Sequence, residues 1–161
     1  MTGAQHHFKT PDFITLYGGT LAIWHRPKTR ALKSMAATGL SAVVTLMTEH
    51  EGAQQIGRAA AAAGLEWIWI PLHGANPPPP SSRNQFVEHM GHIATILHDG
   101  GHVLIHCSAG IHRTGMFTYG LLRFLGLDRE HARDTLEQLR ALTAQGVGDY
   151  RMAWGDQLVD L

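Results

Sequence analysis

One segment limits the folds open to this chain more than any other. HVLIH, His102 to His106, runs directly into the glycine-bearing stretch CSAGIHRTG and then into the apolar MFTYGLL. A short apolar run without polar alternation is a strand covered on both faces, which a parallel sheet sandwiched between helices provides. AVVTLM, Ala42 to Met47, has the same character, and LAIW (Leu21 to Trp24) and LEWIWIPL (Leu65 to Leu72) supply two further strands.

Helical spacing fills the gaps between them. RPKTRALKSMAATGL places Leu32, Met35 and Ala36 on one side and stops at Gly39, and the alanine-rich stretch from about 53 to 63 ends at Gly64. Pro77 to Pro80 form a stiff extended loop before a helix over 82–99, with Phe86, Met90, Ile93 and Leu97 inward. After the glycine loop the pattern predicts helices over 114–124, 129–142 and 149–161. Strands alternating with helices define an α/β fold, a central mostly parallel sheet of about 4–5 strands flanked by helices. The 161 residues are expected to form one domain, 1–161, with 1–12 as an N-terminal arm.

Charge excludes some partners. Lysine plus arginine and aspartate plus glutamate both total 13, a net charge of zero, which argues against a nucleic-acid polymer or an acidic membrane surface. No apolar run approaches membrane-spanning length, and the first residues lack a signal-peptide core, so the expected location is cytoplasmic. A single cysteine, Cys107, forms no internal disulfide and has no resolving partner for a redox cycle. The 12 histidines are scattered without metal-ligand spacing, so neither a metal nor another cofactor is expected.

The segment around Cys107 carries the chemistry. Ligands of parallel sheets bind beyond the carboxyl ends of strands, where this cysteine falls. Successive backbone N–H groups in a tight loop, together with a helix N-terminus, form a concavity for an anion. Arg113 adds a planar fork able to grip two phosphoryl oxygens. Such a field favours the thiolate, and a thiolate beneath a bound phosphate is a nucleophile aimed at phosphorus. Thr114 or Ser108 could hydrogen-bond the sulfur and ease its departure.

HCSAGIHRTG resembles the signature HCxxGxxR(S/T)G of the cysteine-dependent protein tyrosine phosphatase superfamily, and the short chain is similar to its compact dual-specificity and archaeal or bacterial members. The close match covers ten residues, and a looser likeness in element order runs from about Leu16 to Leu142. The resemblance implies a protein tyrosine phosphatase-like fold and hydrolysis through a phosphocysteine, with Cys107 as nucleophile and Arg113 on the phosphoryl group. It further implies that His106 supports the cysteine, that Thr114 assists breakdown of the intermediate, and that Ser108, Ala109, Gly110, Ile111 and His112 line the phosphate cradle. A phosphorylated protein or a small phosphomonoester is then the partner; inositol phosphates and RNA 5′-phosphates are alternatives to phosphotyrosine. A pseudophosphatase that only binds phosphate is the rival from another class, and a sulfur-transfer or redox protein is a weaker one. His112 at the crown of the loop could meet substrate, and the absence of lysine there weighs against phosphoinositides.

The family's general acid is an aspartate in a loop about thirty residues before the cysteine. Here that loop, Pro71 to Ser82, contains no acid; from Gly52 to His106 the only ones are Glu66, Glu88 and Asp99. Glu49, which follows the strand AVVTLM, resembles best the acid some compact relatives carry on the neighbouring loop. Glu51 follows closely; Asp149 and His73 are further alternatives. Gln145 and Gln157 are candidates for orienting water, though exposed helical glutamine explains both, and Trp24, Trp67 and Trp69 are expected to fill the core.

Overall fold

The computed structural model describes residues 10–160. Most of the expected arm, residues 1–9, lies outside the described residues. The strands are β1 (Ile14–Leu16), β2 (Gly19–Trp24), β3 (Ala42–Thr45), β4 (Glu66–Trp69) and β5 (His102–His106). They form one sheet in the order β1-β2-β5-β3-β4, antiparallel between β1 and β2 and parallel elsewhere. The helices are α1 (Thr29–Ala37), α2 (Ala53–Ala62), α3 (Arg83–His98), α4 (His112–Phe124), α5 (Arg129–Leu139), α6 (Ala141–Gly146) and α7 (Asp149–Val159).

Alternation along each strand sorts the side chains into two cores. Leu21, Ile23, Val44, Val103 and Ile105 face α3, α4, α5 and α7, where they meet Met90, Ile93, Phe117 and Leu136. Ala22, Trp24, Val43 and Leu104 face α1 and α2 and pack on Leu32, Met35, Ile56 and Ala60. Ile68 and Ile70 join the larger core, and Trp67 packs against the smaller one with its ring stacked on that of Trp69. β5 lies between β2 and β3, with His106 level with Trp24 on one side and Thr45 on the other. The loop after β5 therefore emerges at the centre of the carboxyl edge.

Two elements depart from the sequence-based expectation. β1 was not anticipated; it pairs with β2 through a two-residue turn in which Tyr17 and Gly18 both take positive φ, 55° and 97°, the backbone of a type I′ hairpin. The helix expected over 129–142 is broken at Arg140, whose extended backbone separates α5 from α6. Propensity favours continuation through LEQLRALTAQ, and tertiary contacts of Arg140 override it.

α4 and α7 touch backbone to backbone. A Cβ built on Gly155 would lie 2.8 Å from the Gly120 Cα. Gly155→Ala is expected to destabilise the protein by about 1–3 kcal/mol through forced separation of these helices, measured by urea unfolding; an unchanged midpoint would refute that close fit.

Candidate active site

β5 ends at His106, and the chain turns through Cys107–Ile111 into α4. Cys107 is buried, and its sulfur accepts hydrogen bonds from the Gly110 N–H (3.2 Å) and the Thr114 hydroxyl (3.0 Å). Both donors suit a thiolate. Gly110 is the residue at which the turn tolerates no substitute, with φ at 73° and an added Cβ only 2.3 Å from the Trp24 carbonyl oxygen.

Arg113, in the first turn of α4, is engaged end-on by Glu51. Nη1 donates to Oε1 at 2.6 Å and Nη2 to Oε2 at 2.7 Å, a bidentate pair, and Nη1 also reaches the Leu72 carbonyl at 3.2 Å. Ser108 Oγ donates to the same carboxylate at 2.6 Å. Nη2 also lies 3.4 Å from Ser108 Oγ, and the Cys107 sulfur lies on the same side of the guanidinium. Glu51 is delivered by a single 3-10 turn, Glu49–Glu51, after β3, and Thr48 binds its Oε1 through both backbone N–H and hydroxyl at 3.0 Å. The bond from Arg113 holds the Glu51 carboxyl far below the usual carboxylate range against partial burial, with Ser108 and Thr48 adding to it. In turn Glu51 raises Arg113 above its ordinary value. Arg26 braces this corner, its N–H on the Ser108 carbonyl (2.9 Å) and its Nη1 on the Glu51 carbonyl (2.7 Å).

His106 is fully buried on the α1/α2 side of the sheet. Its Nδ1 lies 3.0 Å from the Cys107 carbonyl, which can only accept, so Nδ1 carries the proton. Nε2 then accepts from Thr45 Oγ1 at 2.8 Å, and Thr45 accepts from Trp67 Nε1 at 2.9 Å. This chain of donors runs in one direction, Trp67 to Thr45 to His106 to the Cys107 carbonyl, and fixes the neutral tautomer. Burial, the largest influence, lowers the His106 pKa to about 4 from its ordinary 6.5.

The other sequence candidates are placed as follows. Glu49 opens the turn that ends in Glu51 and is exposed, and its carboxyl has no hydrogen-bond partner among the described residues. Asp149, with its side chain 87% exposed, faces Arg133 at 3.3 Å. His73, His112, Gln145 and Gln157 are exposed. The geometry thus assembles Cys107, Ser108, Gly110, Arg113, Thr114 and Glu51, and leaves Glu49, Asp149 and His73 outside that hydrogen-bonded cluster. Arg26, Thr45, Trp67 and the role of Glu51 as the partner of Arg113 were not anticipated.

A strand, a buried thiol, a tight glycine-bearing turn and an arginine at a helix start, in this order, define a cysteine-dependent phosphatase. The chain belongs to the family described as the polymorphic toxin system DSP-PTPase phosphatases, whose model matches residues 18–126. No curated protein shows a significant sequence match. The fold is similar to that of kinase associated phosphatase carrying serine at its catalytic cysteine, with a TM-score of 0.77, 17% identity and 94% of each chain covered. It is also similar to Tk-PTP in its active form, with a TM-score of 0.70, 24% identity and 91% of this chain and 95% of that one covered. TpbA of P. aeruginosa, solved with pTyr, aligns over 86% of this chain and 83% of its own at 16% identity and a TM-score of 0.56. Among the described residues no helix is long and apolar enough to cross a membrane.

The buried histidine has a pH signature. Its folded pKa lies below its unfolded value, so between about 6.5 and about 4 the unfolded chain binds a proton that the folded chain refuses. Stability therefore falls as pH drops through that window, by about 2 kcal/mol between pH 7 and pH 5. In His106→Asn, which keeps a donor for the Cys107 carbonyl, the urea-measured loss between those pH values is expected to shrink by about that amount; an equal loss in both proteins would contradict the assignment.

Proposed function

We propose that this phosphatase hydrolyses phosphomonoesters of phosphoproteins, phosphotyrosine foremost, through a covalent phosphocysteine. The observation that carries the reading is the convergence of two donors on the Cys107 sulfur within the loop that also presents Arg113. The bound dianion is cradled by the backbone N–H groups of Ser108 to His112 and gripped by Arg113. The Cys107 thiolate attacks phosphorus, the S–P bond forms, the ester P–O bond breaks, and the leaving oxygen takes up a proton. Water then attacks phosphorus and gives a proton to the base left by the first step, the S–P bond breaks, and inorganic phosphate leaves as Thr114 stabilises the returning thiolate. The pTyr-bound TpbA supports phosphotyrosine as the substrate class. We place the enzyme in the cytoplasm, since its only thiol must stay reduced to react.

Glu51 has a separate role in this reading. A carboxylate bound by both Nη atoms of Arg113, by Ser108 and by Thr48 stays ionised at neutral pH and donates no proton, so its task is to orient the guanidinium. Glu49 begins the same turn with its carboxyl unengaged, and we assign it protonation of the leaving group, with His73 and Asp149 as the alternatives.

Three variants test these assignments. Vanadate-sensitive, chelator-insensitive hydrolysis of an aryl phosphate is expected to fall by at least about a thousandfold in Cys107→Ser; wild-type rates in that variant would end the phosphocysteine reading. Glu49→Gln should slow alkyl phosphates by about 10²–10⁴-fold and aryl phosphates far less, because phenolate departs without a proton. Glu51→Gln, which removes the counter-charge of Arg113, should lower kcat/KM about 10- to 100-fold for both classes alike. Equal sensitivity of aryl and alkyl substrates to Glu49→Gln would transfer the proton to His73 or Asp149.

A further inference from the structure

The break between α5 and α6 brings Arg140 onto the outer side of the phosphate loop, and nothing in the chemistry above uses it. Arg140 adopts an extended backbone, φ −165° and ψ 110°, between two helices that both stop for it. Its Nη1 donates to the Ala109 carbonyl at 3.1 Å and to the Gly110 carbonyl at 2.9 Å, and lies 3.3 Å from Thr143 Oγ1. Thr143 is fully buried, and its hydroxyl donates to the same Gly110 carbonyl.

These contacts have a geometric consequence. A carbonyl and the N–H of the next residue share one rigid plane and point in opposite directions. With the Ala109 oxygen held outward, the Gly110 N–H must point inward, where it meets the Cys107 sulfur at 3.2 Å. With the Gly110 oxygen held outward, the Ile111 N–H turns toward the cradle in the same way. Glycine, free of a Cβ, gives both planes the lowest resistance to flipping in the loop, so an external hold is required if the donors are to stay inward. Arg140 does this through one nitrogen, Nη1, which lies within reach of both carbonyls and is carried there by a long side chain whose charge strengthens each bond.

We propose that Arg140 is a positioning residue which, with Thr143, locks the two peptide planes flanking Gly110 so that their N–H groups face the sulfur and the bound oxyanion. The proposal rests on the phosphatase reading of the site and adds to it a residue that touches neither substrate nor nucleophile. Loss of Arg140 frees the planes to rotate, turns carbonyl oxygens toward the anion and weakens oxyanion binding and turnover together.

The test uses Arg140→Ala, Arg140→Lys and Thr143→Val, read by calorimetric vanadate binding and by kcat and KM for an aryl phosphate. Arg140→Ala is expected to bind vanadate about 10- to 100-fold more weakly, with a parallel fall in kcat and little change in melting temperature. Millimolar free guanidinium should restore part of both, an outcome that a role confined to packing α6 would not give. Arg140→Lys should fall between wild type and Arg140→Ala, and Thr143→Val should lose less in the same direction. Vanadate affinity within about twofold of wild type in Arg140→Ala would overturn the proposal. If Arg140→Ala does not fold, wild-type affinity in both Arg140→Lys and Thr143→Val would overturn it instead. Wild-type protein that binds vanadate without turning over aryl phosphate counts against the phosphatase reading alone, since affinity still reads the loop.

Discussion

Arg113 is not left to find its own rotamer, because Glu51 holds both of its Nη atoms. The pair is partly exposed, with side-chain exposures of 14% for Arg113 and 31% for Glu51, so its contribution to stability is modest and its chief effect is on direction. Two parallel bonds fix the plane of the fork, and Ser108 and Thr48 fix the carboxylate in turn. The 3-10 turn after β3, the loop after β5 and the start of α4 are thereby joined through one carboxyl group. The site exists because three neighbouring chain segments converge at a single edge of the sheet.

The buried side of the sheet performs the complementary task. Its donor chain reaches the Cys107 carbonyl from Trp67 through Thr45 and His106, while the Arg26 N–H holds the Ser108 carbonyl and Arg140 and Thr143 hold those of Ala109 and Gly110. Successive oxygens are thus drawn away from the cradle by different elements, which leaves the amides to face inward. A ring of donors built from backbone is only as well oriented as the acceptors on its far side allow.

Most of the architecture was legible in the sequence because apolar runs such as HVLIH and AVVTLM have one good use, in strands covered twice. β1 was not, since three residues, two half-buried around an exposed Thr15, carry little pattern, and the α5–α6 break was not, since Arg140 sits in a stretch of good helix formers. In the site, Cys107 and Arg113 stand out by spacing alone. The place of Glu51 beside Arg113 had a local signal as well: Thr48-Glu49-His50-Glu51 has the spacing of a capping box, which turns the last acid of the four back toward the chain. The link from His106 to Thr45 depends on strand register, which short apolar runs do not encode.

Strand order carries a consequence for how the chain is made. β5 enters between β2 and β3, and contacts across it span 82 and 61 residues, as in the bonds from His102 to Thr20 and from His106 to Thr45. Until residue 106 has been synthesised, β2 and β3 have no common neighbour, and the edges that will receive β5 remain open to any extended segment. A nascent or truncated chain that stops short of β5 therefore lacks more than Cys107 and its loop: it is a sheet in two halves, with the adhesive edges of both on display.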